Sequence, residues 1–324
     1  MKVLLTGPCG RIGFKTLLRL LEAGHQVRCF ETRNEFLSHP NGFNEACEAY
    51  LRSKGLDFEW VWGDIRNASE VRDAMGDDVA AVIHHAAMTL PSQCEEEWEY
   101  CWDVNYYGTL NVISAIKAMT HKPKLIYASS VAVYGYPEPE GSIFSESDLL
   151  PSVCTYSATK IASEIAVRRA DINYTILRIA SSPDSAGPQF LAAGVQEFAE
   201  RVKKELKLKM YNSPAHFVSV DDVNTACLNA LENPASDRGI FNIAGPVDCR
   251  TEFGSMIDKI NTASGGEPPH PSEWGDNPYP QGYYDITRAD AVLRFANTSL
   301  DGIIDNVAAA IQEIGDFMAF YPTN

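Results

Sequence analysis

The chain has 324 residues, 45% hydrophobic and 22% charged, the balance of a globular protein able to bury one large core with an appended lobe. A formal net charge of −16 excludes the basic face that a nucleic-acid partner needs, and no apolar run is long enough to span a bilayer. The expected partner is therefore a small molecule, with no nucleic acid and no membrane. The N-terminus, MKVLLTGPCG, runs an apolar strand straight into a glycine turn without a signal-peptide h-region or cleavage site, so a cytoplasmic protein is expected.

In chain order, strand-like and helical patterns alternate through the first half. KVLLTG is followed by FKTLLRLLEAG, QVRCFE by NEACEAYLRSKG, and FEWVWGD by ASEVRDAMG. VAAVIHHAA leads into one long helical stretch, EEWEYCWDVNYYGTLNVISAIKAM, and KLIYASS into TYSATKIASEIAVRRAD and then YTILRIA. Several strands are almost continuously apolar, as strands covered on both faces must be. The alternation predicts an α/β fold, a Rossmann-type doubly wound parallel sheet. After Ala180 the pattern loosens into a Pro/Ser/Gly loop at 181–189 and a helix to about Lys204. The segments 216–233 and 239–245 predict one more helix and strand returning to the sheet. A helix from about Thr251, a proline-rich loop and a last helix from about Leu300 complete the chain. The expected organisation is a dinucleotide-binding domain at 1–180, completed by about 216–245, with 181–324 mainly a smaller C-terminal substrate lobe.

Eight cysteines, at positions 9, 29, 47, 94, 101, 154, 227 and 249, form no CxxC pair and no zinc-spaced cluster, so reduced structural thiols and no metal are expected. His84 and His85 are adjacent on a strand and cannot point the same way, which argues against a two-histidine metal site.

The first strand ends in Thr6-Gly7-Pro8-Cys9-Gly10-Arg11-Ile12-Gly13 and opens a helix. Gly7, Gly10 and Gly13 suit a tight turn, close approach of backbone to a pyrophosphate and close helix–strand packing, with Arg11 and Ile12 beside them. A strand before and a helix after are the context that separates a dinucleotide site from an ordinary turn. Glu31 closes the second strand where an acid would accept from the adenosine ribose hydroxyls. Its charge repels a 2′-phosphate and favours NAD, although the nearby Arg33 could do the opposite, so NADP stays open.

Tyr156 and Lys160 share one helix face at i and i+4. A free phenol titrates near 10, too high for a base at neutral pH, and a nearby ammonium favours the phenolate. Such pairs occur on ordinary amphipathic helices too. Together with the glycine turn and Ser130 on the preceding strand, however, YxxxK reads as a proton-transfer site. Ser130 holds the substrate oxygen, Tyr156 takes or gives its proton, and hydride passes to or from the nicotinamide.

These motifs resemble the short-chain dehydrogenase/reductase superfamily and, by spacing, length and C-terminal lobe, its extended branch, the NAD-dependent epimerase/dehydratase family. The resemblance implies an adenine-binding Asp64 flanked by Ile65, from Gly63-Asp64-Ile65. It implies that His85, Ala86 and Ala87 line the cofactor's ribose and phosphates, and that Asn105 in DVNYYGT lies near the cofactor. The stretch from Ala128 to Gly135 resembles SSxxVYG, which puts the active hydroxyl on Ser130 and makes Ser129 a packing or cofactor neighbour. Leu177-Arg178 resembles the LR before a loop beside the nicotinamide, and 217–223 resembles HVDDV with Ser219 in the histidine's place. The resemblance also implies a homodimer joined through the long helix and the YxxxK helix.

Two departures bear on the substrate. The Asp-Glu pair of the 4,6-dehydratases is here Val131-Ala132, which disfavours dehydration. The arginine that grips a diphosphate in sugar-nucleotide members is here Ala215, next to His216, which could substitute in part. The expected function is NAD-dependent transfer of hydride between the nicotinamide and a secondary alcohol or ketone on a sugar-like or other small polyhydroxylated substrate. A UDP-hexose 4-epimerase with a rearranged diphosphate site is one alternative, and a non-catalytic dinucleotide sensor another. Thr89, Pro91, Ser92, Val153, Ser181 and the loop from Trp274 to Tyr284 are expected to shape the pocket.

Overall fold

The computed structural model describes residues 1–33, 43–135, 141–148, 152–184, 213–263 and 282–312. The helix expected to reach Lys204 and most of the loop from Trp274 lie outside the described residues.

The alternating pattern builds β1 (Lys2–Thr6), α1 (Gly13–Glu22), β2 (Gln26–Glu31), α2 (Phe43–Ser53), β3 (Glu59–Trp62), α3 (Ala68–Met75) and β4 (Ala81–His84). Next come α4 (Pro91–Glu96), α5 (Trp98–Trp102), a π-helical turn (Asp103–Tyr107), α6 (Gly108–Ala118) and β5 (Lys124–Ser130). A 3-10 turn (Val131–Tyr134), β6 (Ile143–Phe144), α7 (Thr155–Arg169), β7 (Tyr174–Ile179), β8 (Pro214–His216), α8 (Val220–Glu232) and β9 (Gly239–Ile243) follow. The last described elements are β10 (Arg250–Glu252), α9 (Phe253–Ala263), β11 (Tyr283–Tyr284), α10 (Thr287–Leu293) and α11 (Leu300–Gln312).

The main sheet has seven parallel strands in the order β3-β2-β1-β4-β5-β7-β9, the expected doubly wound arrangement, with β9 returning as its edge. Strand alternation sorts side chains to two layers. Val3, Leu5, Ile83 and Ile126 pack beneath α1, α2 and α8, while Leu4, Val82, Leu125 and Tyr127 pack beneath α3, α6 and α7. The strand order reverses between β1 and β4, so their carboxyl ends, Thr6 and His84, open a crevice where ligands of such sheets bind. Ser130 closes β5 on the same edge, two strands from the glycine turn.

The one long helix expected before β5 runs from Trp98 to Ala118 as α5, the π-turn and α6. It is set off from α4 at Glu97, whose φ of −120° and ψ of 53° are non-helical. The π-turn follows, where the Asn105 carbonyl accepts from two hydroxyls, Thr109 at 2.6 Å and Ser163 at 3.1 Å. Also absent from the sequence reading are the antiparallel pair β8–β10, the parallel pair β6–β11 and α10. Segments of two or three residues are too short to carry a periodicity.

A separate apolar cluster of Ala215, Phe217, Cys249, Met256, Leu300, Ile303 and Ile304 builds the C-terminal part. Asp222 ties it to the sheet by accepting from the Asn297 and Thr298 amides, at 3.1 and 3.0 Å, and from the Thr298 hydroxyl at 2.9 Å. No helix among the described residues is long and apolar enough to cross a membrane. Removing the Asp222 carboxylate leaves three part-buried hydrogen bonds unmade. Asp222→Ala is expected to lower the free energy of unfolding by about 3 kcal/mol in denaturant titration, and a loss under about 1 kcal/mol would contradict this reading.

Candidate active site

The turn after β1 is as tight as its glycines allow. Gly7 has φ +70°, and the Gly10 amide donates to the Gly7 carbonyl at 3.0 Å. A Cβ on Gly13 would lie 1.9 Å from that same carbonyl oxygen, and one on Gly7 would lie 2.9 Å from the Ala86 amide. This is a bare-backbone cradle at the head of α1, which fits a dinucleotide pyrophosphate. Two flanking side chains brace it. The Glu31 carboxylate accepts from the Cys9 amide at 3.0 Å and the Thr32 amide at 2.9 Å, while burial raises its pKa. The Arg11 guanidinium leaves the turn and donates to the Ser182 carbonyl at 3.2 Å, joining the cradle to the loop after β7. Burial lowers Arg11 to about 10, opposed by the nearby Asp184 carboxylate.

His84 and His85 diverge, as expected of strand neighbours. His84 lies between the Thr6 and Thr109 hydroxyls, at 2.7 and 3.1 Å, and His85 Nε2 lies 3.1 Å from the Thr16 hydroxyl. Burial, then the charge of Lys160, lowers both to about 3, so both rings are neutral. The Ala86 amide donates to Thr6 Oγ1 at 3.2 Å, which holds the 85–87 segment against the cradle, with Ala87 half-buried next to it. Asn105 is 1% exposed and clamps the next turn of chain: its amide oxygen accepts from the Met88 amide at 2.8 Å and its nitrogen donates to the Met88 carbonyl at 3.0 Å. It therefore acts through the loop lining the crevice. Asp64 is bound twice over by the Arg66 guanidinium, at 2.6 to 3.0 Å, with Arg66 4.4 Å from the Tyr100 ring. Ile65 is buried beneath Gly108. Arg33 lies 4.6 Å over Trp62 and 3.5 Å from Glu45, so both candidates for reading the adenosine ribose already have protein partners.

The chemistry concentrates at the start of α7. Cys154 caps this helix: its sulfur accepts from the Ser157 amide, and Ser157 Oγ accepts from the Cys154 amide at 3.2 Å. Tyr156 therefore sits in the first helical turn, where the macrodipole favours negative charge. Burial raises the phenol's pKa, and a hydrogen bond with Ser130 pulls it back. Ser130 Oγ accepts from the Ala132 amide at 3.1 Å, which fixes the hydroxyl at the strand end. Lys160 is 4% exposed and donates to the Ala128 carbonyl at 2.9 Å, with its nitrogen 5.9 Å from the Tyr156 ring centre. Burial lowers Lys160 to about 8, with Cys101, Cys94 and Glu164 opposing. The ammonium alone thus leaves the phenol protonated.

Three residues missed in the sequence surround this pair. Cys94 and Cys101 pack against Tyr156, with Cys154 beside them, so three of the scattered thiols share the site. Cys154, two residues before Tyr156, was their only visible signal. Glu164, one turn beyond Lys160, is 4% exposed and accepts from Ser129 at 2.6 Å.

Toward the substrate side, one expectation is corrected. His216 cannot grip a phosphate: its Nε2 donates to the Gly245 carbonyl at 2.8 Å, Nδ1 accepts from the Tyr284 amide at 3.2 Å, and burial lowers it to about 4. Ala215 is buried in the apolar C-terminal cluster. Ser181 bridges to Phe217, and its carbonyl accepts from the Val218 amide at 3.0 Å. Thr89 is exposed at the crevice segment after β4.

A doubly wound parallel sheet with a glycine cradle after β1 and a Ser–Tyr–Lys set on β5 and α7 defines the short-chain dehydrogenase/reductase class. The chain belongs to the NAD dependent epimerase/dehydratase family, whose model matches residues 3–244. It is 32% identical over 136 residues to a UDP-glucose 4-epimerase of Klebsiella pneumoniae, covering 42% of this chain and 93% of that one. A rice relative, UDP-glucose 4-epimerase 3, is 29% identical over 163 residues, half of this chain but 42% of that enzyme's length. D-erythronate dehydrogenase of Cupriavidus necator is 24% identical over 281 residues, 82% of each chain. The fold is that of a Bacillus cereus UDP-glucuronic acid 4-epimerase solved with UDP-glucuronic acid and NAD, with TM-score 0.74, 21% identity and coverage of 97% and 100%.

The buried lysine has a stability signature. Its folded pKa, about 8, lies below its ordinary 10.5, so protonation opposes folding below 8 and that cost fades as pH rises toward 10.5. Relative to Lys160→Met, the parent is expected to gain about 2 kcal/mol in unfolding free energy between about pH 7 and about pH 9.5. A pH-independent difference would contradict the burial of this ammonium.

Proposed function

We propose that the chain is an NAD-dependent oxidoreductase of the cytoplasm that moves hydride between the nicotinamide and a secondary alcohol or ketone of a small polyhydroxylated substrate. The observation that carries the reading is the meeting of Ser130, Tyr156 and Lys160 on the sheet edge that holds the glycine cradle. NAD, when bound, supplies the hydride acceptor and a positive charge near the phenol. The backbone of Gly7, Gly10, Ile12 and Gly13, with Arg11, holds the pyrophosphate, Glu31 the adenosine ribose, and Asp64 and Ile65 the adenine. His85, Ala86, Ala87 and Ala128 line the middle of the site, and Asn105 fixes the segment after it. Lys160 binds the nicotinamide ribose and favours the phenolate. Tyr156 takes the substrate hydroxyl proton, and Ser130 donates to the oxygen as charge develops. Thr89 and Ser181 flank the substrate. Residues 1–180 and about 216–245 form the cofactor domain, and the rest of 181–324 mainly the substrate lobe.

Two observations favour a small substrate over a nucleotide sugar. Position 215 carries a methyl group inside an apolar cluster, and its neighbour His216 is neutral and engaged by two backbone groups. The relative matched over 82% of both chains bears the name of a dehydrogenase of a four-carbon sugar acid. The second reading, a UDP-hexose 4-epimerase, is favoured by the names of the Klebsiella and rice relatives. Intact Ser130, Tyr156 and Lys160 weigh against a sensor, which needs none of them.

We further propose a homodimer joined at α5, the π-turn and α7. Trp98, Tyr107 and Ile165 are 55%, 53% and 47% exposed there, and the Trp102, Tyr106 and Tyr107 rings touch in series at 5.5 and 5.2 Å. Tyr107→Glu is expected to convert a dimer into a monomer in light scattering at unchanged melting temperature. A monomeric parent would contradict the assembly.

The experiment for the activity is a panel of sugar acids, polyols and UDP-sugars, each with NAD, followed by reduced-nicotinamide absorbance and product analysis. Net NAD reduction with a small hydroxylated substrate, lowered about a thousandfold in Tyr156→Phe, is expected. Interconversion of UDP-sugars without net cofactor change would overturn the reading in favour of epimerisation.

A further inference from the structure

Three successive residues of β5 are stitched to three successive turns of α7. Ser130 pairs with Tyr156, Ala128 accepts from Lys160 at 2.9 Å, and Ser129 donates to Glu164 at 2.6 Å. Tyr156, Lys160 and Glu164 follow one another at i, i+4 and i+8, so one helix face carries a phenol, an ammonium and a carboxylate in line. The lowest stitch is the only one of the three anchored by a buried ion pair. Arg178, on β7 and 1% exposed, donates to both Glu164 oxygens, from Nε at 3.0 Å and Nη2 at 2.7 Å. Its other arm donates to the Tyr134 hydroxyl at 2.9 Å and the Glu146 carbonyl at 3.2 Å, and Tyr134 in turn donates to Asn242 at 2.5 Å. The network therefore reaches from α7 through β7 to the turn after Ser130 and the edge strand β9.

Burying two charges costs several kcal/mol each before their attraction repays it, so a pair in this place needs a reason beyond stability. We propose that Glu164, held by Arg178 and Ser129, is a positioning residue that sets the height of α7 against β5 and so the place of Lys160 beneath Tyr156. It touches neither cofactor nor substrate in this account, and the proposal rests on the hydride-transfer role of Tyr156 given above. The groups around the Lys160 ammonium make the carboxylate's place clear. On its own helix are Tyr156 and Glu164; from β5 come the Tyr127 ring at 5.2 Å and the Ala128 carbonyl; from β4, neutral His84 and His85; from α4 and α5, Cys94 and Cys101. Cys101, then Cys94, then Glu164 oppose the effect of burial on Lys160, and Glu164 is the carboxylate among them.

The test follows the Lys160 side-chain nitrogen signal by NMR titration, assigned by its loss in Lys160→Met, so that no substrate is required. In Glu164→Gln the midpoint is expected to fall by about one pH unit or more, with the dissociation constant for NAD within about twofold of the parent. Where the single variant leaves Arg178 unpaired and fails to fold, Glu164→Gln/Arg178→Met removes both charges, a replacement that buried pairs commonly tolerate, and turnover about fivefold or more below the parent at unchanged NAD affinity is expected. Ser129→Ala leaves both charges in place and is expected to lower turnover about fivefold at unchanged NAD affinity. A Lys160 midpoint within about 0.3 unit of the parent in Glu164→Gln, or parental turnover in the double variant, would overturn the proposal, as would parental turnover in Ser129→Ala. Full turnover by Tyr156→Phe would instead sink the hydride-transfer reading, which keeps the two failures apart.

Discussion

The structure turns on one buried ammonium. Lys160 is out of water, bonded to a single backbone carbonyl, and surrounded by a phenol, a carboxylate and thiols. In water its charge would be screened and would scarcely affect Tyr156. In a low-dielectric site the same charge acts strongly, but it is also costly to keep. The helix cap at Cys154, the strand-end hydroxyl of Ser130 and the ion pair behind Glu164 all bear on that balance. Each either favours charge on the Tyr156–Lys160 pair or fixes the distance over which the charge acts.

The same crevice brings together parts far apart in sequence because the sheet order reverses between β1 and β4. The glycine turn, the His85–Ala87 segment and Ser130 all lie at carboxyl ends of neighbouring strands. Arg11 then reaches from the turn to Ser182, and Asp184 accepts from Ser182, from Ser219 and the Val220 amide at the head of α8, and from Asn306 on α11. The glycine cradle is thus linked through polar groups to α8 and α11.

Much of this was legible in the residues. Continuous apolar strands alternating with amphipathic helices specified the doubly wound sheet, and TGPCGRIG, Ser130 and YxxxK marked residues that meet at the carboxyl ends of β1 and β5 and the start of α7. What stayed hidden depended on long-range geometry. The π-turn at Asn105 answers to hydroxyls on Thr109 and on Ser163 of another helix, which no local pattern reveals. His216 read as a possible phosphate ligand because a loop histidine and a strand histidine look alike in sequence; its two backbone partners come from Gly245 and Tyr284. Glu164 passed as one more charge on an amphipathic helix because its partner, Arg178, is on a strand. The substrate end remained the least legible, since Ala215 speaks only through a missing side chain.

In the proposed reaction, Tyr156 becomes a usable base only when the Lys160 ammonium and the oxidised nicotinamide act on it together. Near-ultraviolet tyrosinate titration of the parent minus that of Tyr156→Phe, without and with saturating NAD, tests this. A Tyr156 midpoint above that of a free phenol is expected without cofactor, falling by about two pH units or more when NAD is bound. A midpoint unmoved by NAD would contradict it.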